Sequence, residues 1–420
     1  MESSGANVTL EVVERPARSR LRLWFLLGPA FVAAIAYVDP GNVAANLTAG
    51  ARYGYLLVWV LVAANAIAVF VQYQSAKLGI VTGRSLPELL GARLGTGARR
   101  AYWAQAELVA AATDIAEVIG GAIALQLLFG LPLPLGGVIV GVAAIALLAV
   151  QTRRGQRPFE AVILVLLGVI AVGFLAGLVV SPVDWKAAAG GLVPRFDGAP
   201  TVLLAASMLG ATVMPHAIYL HSALARDRHG TGGDERRTRT LLRATRLDVV
   251  LALVLAGAVN IAMLLVAAAA LPGVAGTDTI EGAHAAISAA LGPAIGVIFA
   301  VGLLASGLAS ASVGSYAGAT IMAGLLHLRV PLLARRIVTL IPAVAILSLG
   351  VDPTWALVIS QVFLSLGIPF AMIPLLRLTG SRAVMGARAD AGWVRVAGWG
   401  VAGLVVVLNL ALVVLTVLPQ

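Results

Sequence analysis

Apolar stretches of about 20 residues recur along almost the whole 420-residue chain, with short polar segments between them. This is the length that a helix needs to cross the hydrocarbon core of a bilayer. Because lipid offers no hydrogen-bonding partners, each crossing segment must satisfy its own backbone polar groups, which a helix does and an open sheet does not. The mean hydropathy of +0.98, with 60% hydrophobic and 11% charged residues, excludes a soluble globular domain. We therefore expect an all-α polytopic membrane protein.

Eleven membrane spans are predicted after a polar, arginine-bearing tail at residues 1–22, in which we expect no cleavable signal. The predicted spans are 23–50, 54–80, 101–129, 133–151, 159–181, 200–225, 247–271, 290–327, 332–350, 354–376 and 392–418. An odd number of spans places the two termini on opposite sides. The chain contains no cysteine, so disulfides and thiolate metal ligands are excluded.

The distribution of basic residues predicts the orientation in the membrane. If the N-terminus is cytoplasmic and the C-terminus outside, only Arg52, Lys186 and Arg195 of the 29 basic residues fall on the outer side. This pattern follows the positive-inside rule for a multi-pass protein of the cell (inner or plasma) membrane. The basic residues behind the net charge of +10 are thus expected to set the orientation in the membrane and to contact the lipid bilayer. No nucleic-acid partner is expected.

Helix-breaking residues interrupt two of the spans. Span one contains Asp-Pro-Gly-Asn at 39–42, in which Pro40 and Gly41 break the helix, and span six contains Pro215 inside the segment GATVMPHAIYLHSAL. The interruptions are five spans apart, so spans 1–5 and 6–10 are interpreted as two inverted repeats. Matching interrupted segments in two halves point to a transporter's binding site near the middle of the membrane.

The predicted organisation follows from these repeats. It consists of a cytoplasmic tail at 1–22, a first repeat at 23–181, a second repeat at 200–376 and a peripheral eleventh helix at 392–420.

The two interruptions supply a set of possible metal ligands. Pro40 has no N–H and leaves the carbonyl of Ala36 without its helical partner, and Pro215 does the same to the carbonyl of Ala211. Nearby polar side chains complete the set, namely Asp39, Asn42 and Met214. One carboxylate, one amide, two carbonyls and one thioether suit a partly dehydrated divalent cation. An acid inside a membrane span also favours a functional interpretation by itself.

The thioether indicates the class of metal. An all-oxygen site would suit Mg²⁺ or Ca²⁺, whereas a sulfur ligand favours softer transition metals such as Mn²⁺ and Fe²⁺, with Cd²⁺ as a non-physiological substrate. Taken alone, Met214 is more often a core-filling residue and a proline kink is common in membrane helices. The two matching breaks with complementary ligands favour an ion site over these structural interpretations.

The two broken spans and several further motifs resemble those of a known family. The motifs DPGN and GATVMPHAIYLHSAL, with QAELVAAATDIAEVIGGAIAL, QRPFEAVI and SQVFLSLGIPFAMIPL, are similar to the Nramp family of proton-coupled divalent metal transporters. The resemblance covers essentially the whole chain. It implies a LeuT-type fold of two inverted five-helix repeats plus an eleventh helix, with discontinuous helices 1 and 6. It also implies symport of Mn²⁺ or Fe²⁺ with H⁺ into the cytoplasm, without a resident cofactor or enzymatic activity.

The resemblance carries over a ligand set position by position. The family's metal ligands fall on Asp39, Asn42, Met214 and the carbonyls of Ala36 and Ala211, with Gln361 in span ten as an additional, conformation-dependent ligand. The chain departs from the family pattern in span eight, where Leu308 and Ala323 replace polar residues common in the family. Neither residue belongs to the metal set, so the expected substrate class is unchanged.

Proton coupling requires groups that change protonation inside the membrane. Asp39 is one candidate, because a metal ion and a proton compete for the same carboxylate, and His216 is another. Span three adds three acids, and the start of span nine adds two candidate counter-charges. These residues are Glu107, Asp114 and Glu117, followed by Arg335 and Arg336. The alternative is a static ion-pair network that holds helices together. For His221, a helix–helix hydrogen bond is nearly as well supported as a functional role. His229 is expected to be solvated.

Three other functions remain as alternatives. The nearest is a sodium-coupled carrier of a small organic substrate with the same fold. An intramembrane metalloenzyme is disfavoured because there is no H-E-x-x-H motif, and a metal sensor would need a cytoplasmic output domain. The sequence does not rank Mn²⁺ against Fe²⁺ or fix the oligomeric state, although a monomer is sufficient for the predicted transport.

Overall fold

The computed structural model describes residues 27–230, 234–277, 279–328 and 330–417. The predicted tail at 1–22 lies outside these residues, as do the first residues of span one and the end of span eleven. The described part is helical and contains no strand. Its helices are α1 (Pro29–Ala34), α2 (Pro40–Tyr53), α3 (Val58–Thr82), α4 (Leu86–Gly91), α5 (Thr96–Phe129), α6 (Leu133–Arg154), α7 (Gln156–Val180), α8 (Trp185–Gly190), α9 (Gly198–Thr212), α10 (Pro215–His229), α11 (Glu235–Ala270), α12 (Ile280–Leu291), α13 (Pro293–Leu326), α14 (Leu332–Ser348), α15 (Pro353–Thr379), α16 (Arg382–Met385) and α17 (Gly392–Val417).

Each of the eleven predicted spans corresponds to helical structure in the described residues. Spans one and six are each divided in two, into α1 and α2 and into α9 and α10, as the fold class predicts. Within the described ranges, nine helical segments are long and apolar enough to cross a membrane when α9 and α10 are taken together. The other two spans are the divided span one and α14, which has 17 residues. The short helices α4, α8, α12 and α16 lie in connections for which no helix was predicted from the sequence.

The first break is a capped helix start. A 3₁₀ turn at Ile35–Val38 follows α1, after which Asp39 is extended, with φ −73° and ψ 167°, and caps α2. Pro40 occupies the first helical position, where its missing N–H costs no hydrogen bond. The second break has a similar backbone, with Met214 extended and Pro215 opening α10, but the Met214 side chain makes no capping hydrogen bond. Both prolines therefore begin a helix rather than kink one.

Backbone carbonyls of the 3₁₀ turn are satisfied by side chains of two neighbouring helices. Asn260 of α11 donates to the carbonyl of Tyr37 at 2.7 Å, and Ser306 of α13 donates to that of Val38 at 2.5 Å. Ser310, one turn along α13, donates to the carbonyl of Ile35 at 3.3 Å. In the described part of the chain, the carbonyl of Ala36 receives no such side-chain donor. Polar residues of α11 and α13 thus support the break.

The N-terminal end of α1 is held by an acid of α11. Asp248 is buried, and its two carboxylate oxygens accept from the backbone N–H groups of Gly28 and Ala30, each at 3.0 Å. Glu160 of α7 lies against Gly28, so a second acid approaches the same helix end. Carboxylates stabilise a helix N-terminus by accepting its unpaired N–H groups. Asp248 therefore fixes α1 to the helix bundle.

Replacing Asp248 with alanine should loosen this end of α1. Loss of two hydrogen bonds to a carboxylate costs about 2 kcal/mol, a factor of about 30 in the equilibrium that releases the helix. Because the chain has no native cysteine, an Ala33→Cys reporter in α1 measures this directly by its rate of thiol labelling. We expect faster labelling with Asp248→Ala and no change with Asp234→Ala, which removes the exposed cap of α11. Equal labelling rates in both variants would contradict the role of Asp248 in holding α1.

Candidate metal centre

Asp39 lies at the first break with one carboxylate oxygen engaged and the other unpartnered. The side chain is fully buried. Its Oδ1 accepts from the backbone N–H of Asn42 at 2.8 Å and from the Asn42 side-chain amide at 2.7 Å. Its Oδ2 has no hydrogen-bond partner in the described part of the molecule. A buried, unpartnered carboxylate oxygen is costly unless it meets a cation or a proton.

Asn42 connects the two broken helices. Its side-chain amide also donates to the carbonyl of Ala211 at 2.7 Å, at the end of α9. The hydroxyl of Thr212 lies 3.4 Å from the Asn42 Oδ1. Met214 follows in the extended residue before α10, with a fully buried side chain. The two interruptions thus meet in space, which the sequence predicted from their spacing.

Gln361 of α15 lies beside the first break because residue 41 is glycine. A Cβ added at Gly41 would overlap the side-chain amide of Gln361 and lie 3.1 Å from the Asp39 Oδ2. The Gln361 Oε1 is also buried without a hydrogen-bond partner among the described residues. Gly41 therefore breaks the helix and also allows the amide of span ten to approach the carboxylate.

Two further glycines allow neighbouring helices to reach the breaks. Gly120 of α5 packs on the ring of Pro40, so that an added Cβ would overlap it. Gly367 of α15 lies against Pro215, with 3.1 Å between an added Cβ and the Pro215 Cγ. Both helix-opening prolines thus pack against a glycine, a contact that the sequence analysis did not predict.

The candidate metal ligands include a single charged group, the carboxylate of Asp39. Among the described residues no group of three or more His, Cys, Asp or Glu side chains could hold a metal. Asp39, Asn42, the carbonyl of Ala211 and Gln361 are brought together, while Ala36 and Met214 sit in the same two breaks. One carboxylate with neutral ligands is compatible with an ion that must also leave the site.

The acids of span three meet the two arginines of span nine. Arg335 pairs with Glu107 at 2.7 Å, and Asp114 lies 3.4 Å from Arg336 and 3.6 Å from Arg335. Asp114 and both arginines are buried. The network therefore reaches from the start of α14 to the middle of α5.

Glu117 lies one turn deeper along α5. It is fully buried, and neither of its carboxylate oxygens has a hydrogen-bond partner in the described residues. A Cβ added at Gly314 of α13 would lie 3.0 Å from Glu117 and 3.2 Å from Asp114, so α13 offers these acids an open backbone. His216 is also buried, and both ring nitrogens are unpartnered among the described residues. The departures from the family pattern at Leu308 and Ala323 lie elsewhere on α13.

A hydrogen-bonded chain that was not predicted from the sequence connects spans one, two and six. The Gln72 amide of α3 donates to the Tyr37 hydroxyl at 2.5 Å, and its Oε1 lies 2.7 Å from the Nδ1 of His221. His221 thus makes the helix–helix contact that was considered for it. The expectation that His229 is solvated is wrong, because this residue is 7% exposed at the end of α10 and its carbonyl accepts from Arg237. The sequence signal for this contact was the presence of a polar glutamine within an apolar span, which indicates a buried hydrogen bond.

A salt bridge fixes α10 to the connecting helix α4. Arg226 pairs with Glu88 at 2.5 Å. Burial raises the pKa of Glu88, but hydrogen bonds from Ser85 and Arg226 outweigh it, so the pKa lies below its usual value. Ser85 and Glu88 also form a capping box that starts α4. Glu88 is therefore ionised and holds the end of α10 in place.

The helix order and the two broken helices define a membrane protein with a LeuT-type fold. MhsT, solved in complex with L-phenylalanine, has the same fold with a TM-score of 0.60 at 15% identity, covering 92% of this chain and 98% of that chain. The Nramp family profile, described as natural resistance-associated macrophage protein-like, matches residues 30–415. The chain therefore belongs to the Nramp family, as the resemblance implied.

Two closer relatives carry informative names. The divalent metal cation transporter MntH of Mycobacterium tuberculosis H37Rv is 63% identical over 394 residues, 94% of this chain and 92% of the relative. The Eremococcus coleocola manganese transporter has a TM-score of 0.84 at 33% identity, with 96% of this chain and 90% of that chain covered. Nramp members are secondary transporters, so this chain is a multi-pass membrane transporter and not an enzyme.

Proposed function

We propose that this protein takes up divalent transition metals into the cytoplasm together with protons. Mn²⁺ and Fe²⁺ are the proposed substrates, with Cd²⁺ as a non-physiological one. The observation that carries this proposal is the buried Asp39, whose Oδ2 is unpartnered where two broken helices meet. Membership of a family whose relatives are named divalent metal cation and manganese transporters supports it. The rival sodium-coupled carrier of organic substrates is supported by a shared fold alone.

The proposed ligands are Asp39, Asn42, Met214, Gln361 and the carbonyls of Ala36 and Ala211. Metal binding requires Asn42 to turn, because its amide nitrogen now faces both Asp39 and the Ala211 carbonyl. Turning would free the Ala211 carbonyl and present the Asn42 oxygen to the ion. The Asn42 side chain would thus exchange its hydrogen bonds to Asp39 and to the Ala211 carbonyl for a contact with the ion.

The proposed cycle is alternating access around this site. The repeats at 23–181 and 200–376 rock around the breaks, and the helix at 392–420 remains peripheral. Release of α1 from Asp248 would open one side of the site. We assign that side to the cytoplasm, with the N-terminus inside, the C-terminus outside and the protein in the cell membrane, because the basic residues follow the positive-inside rule.

We propose that protons leave the site along α5. Asp39 and His216 border the breaks, and Asp114, Glu117, Glu107, Arg335 and Arg336 extend the path. The unpartnered oxygens of Glu117 and the short Arg335–Glu107 pair support a relay in which carboxylates exchange a proton and arginines hold the charge. A purely static network would leave no buried acid without a partner.

The thioether of Met214 is expected to select against hard cations. In Met214→Ala, Mn²⁺ uptake should persist while Ca²⁺ or Mg²⁺ uptake increases about tenfold, because sulfur no longer disfavours hard ions. The measurement is ⁴⁵Ca²⁺ and Mn²⁺ uptake by proteoliposomes, with Met208→Ala in α9 as the matched control, a buried methionine outside the ligand set. If Met214→Ala excludes Ca²⁺ as well as the wild type does, sulfur does not filter the ions.

The proposed function is tested with wild-type protein in proteoliposomes that contain a pH-sensitive dye. Addition of Mn²⁺ should cause Mn²⁺ uptake with internal acidification, independent of Na⁺. Uptake without acidification would contradict proton coupling. Absence of Mn²⁺ uptake, together with Na⁺-dependent uptake of an organic substrate, would favour the rival carrier.

A further inference from the structure

A polar cavity of about 870 Å³ lies among the end of α15, α16 and the start of α17, and none of the proposed metal ligands lines it. Three glycines in its wall, Gly380, Gly386 and Gly392, leave backbone open to the space. Its wall also carries two arginines, Arg382 and Arg395. The stem of Arg395 packs on Gly380, with 3.1 Å between an added Cβ there and the Arg395 Cδ. The cavity is thus lined by glycine backbone without side chains and by two guanidinium groups.

The positive charge of this cavity is not balanced. Arg382 and Arg395 are exposed, and neither forms an ion pair with another described residue. The acid in the wall, Asp390, is already engaged by Lys77 at 2.6 Å and Gln74 at 2.9 Å, with its side chain 3% exposed. Two unpaired arginines facing open backbone are suited to an anion with several acceptor oxygens.

Exposed apolar residues place the cavity at the boundary of the bilayer. At the start of α17, Trp393 is 77% exposed, Val396 74% and Trp399 43%. Tryptophans at the end of a membrane helix lie at the level of lipid headgroups. Arg395 and Trp399 are four residues apart and share a helix face. An anion held by Arg395 would therefore sit where phospholipid phosphates lie, with an apolar helix surface beneath it.

We propose that this cavity binds the phosphate of an anionic phospholipid, held by Arg382 and Arg395, with the acyl chains along the exposed face of α17. The apolar surface of α17 favours a lipid over a soluble phosphate, since a free anion would gain nothing from Val396 and Trp399. Asp390 connects this loop to Lys77 of α3, so the bound lipid braces the eleventh helix against the bundle.

The proposal is tested by native mass spectrometry of the detergent-purified full chain titrated with phosphatidylglycerol or phosphatidylcholine. The wild type should retain phosphatidylglycerol more tightly than phosphatidylcholine. Arg382→Gln with Arg395→Gln should weaken phosphatidylglycerol binding about tenfold or more, since both guanidinium groups proposed to hold the phosphate are removed. The matched control is Arg153→Gln with Arg154→Gln, two exposed arginines at the end of α6, which should bind as the wild type does.

A charge-preserving pair, Arg382→Lys with Arg395→Lys, separates charge from folding and should retain most of the binding. Equal binding of the two lipids, or equal loss in both glutamine pairs, would overturn the proposal. Displacement of phosphatidylglycerol by millimolar glycerol 3-phosphate would also overturn it, because the occupant would then be a soluble phosphate.

Discussion

Asp39→Asn should reduce Mn²⁺ uptake about a hundredfold or more. Asparagine keeps the shape and an acceptor oxygen for the Asn42 N–H, so α2 stays capped, but the proposed site loses its carboxylate. A divalent ion would then lie buried without a compensating charge, which costs about 3–5 kcal/mol. The measurement is Mn²⁺ uptake in proteoliposomes with an internal pH dye. Retained uptake without acidification would instead make Asp39 the proton carrier alone.

The matched control for this variant is Asp184→Asn. Asp184 also caps a helix, α8, by accepting from two backbone N–H groups, but it is exposed and far along the chain from both breaks. We expect its uptake to be near that of the wild type. A similar loss in both variants would show a general effect of removing a capping acid.

Gly120→Val should reduce transport strongly, because the added side chain would displace the first break. Its Cβ would overlap the ring of Pro40, which is rigid and anchored between Asp39 and α2, so either α5 or the break must move. Overpacking of this kind costs about 1–3 kcal/mol. A displacement of Asp39 of the order of 1 Å would also separate the ligands, and we therefore expect uptake to fall about a hundredfold.

The control for Gly120→Val is Gly168→Val in α7. It makes the same change inside a membrane helix, but an added side chain there meets nothing within 4 Å. Both variants are compared by Mn²⁺ uptake and by thermal melting in detergent. Normal uptake by Gly120→Val would contradict the contact with Pro40. Equal losses in both variants would indicate the general cost of valine for glycine.

The membrane spans and the two helix breaks could be predicted because each depends on a local sequence signal. The bilayer imposes a length on each apolar run, and proline removes a helical hydrogen bond, which costs least where proline opens a helix. The spans and the two breaks, at Pro40 and Pro215, follow from these rules, and the structure confirms both. The short helices α4 and α12 were missed because, with 6 and 12 residues, they are too short for the membrane length rule to identify them.

The contacts that shape the site were less predictable. Apolar spans show little helical periodicity, so the sequence does not reveal which face of α3, α5 or α11 points inward. Gln72, Asn260 and Gly120 therefore could not be assigned partners, although a polar residue in a span indicates a buried contact. Gly41 was identified only as a helix breaker, whereas its missing side chain also makes room for Gln361.

The central claim is that the transported metal binds between the two broken helices, and X-ray absorption of bound Cd²⁺ tests it most directly. The wild type should show oxygen neighbours together with one sulfur scatterer, contributed by Met214. The sulfur should disappear in Met214→Leu and persist in Met208→Leu. A wild-type spectrum without sulfur, or a sulfur signal that survives Met214→Leu, would contradict the account and place the metal elsewhere.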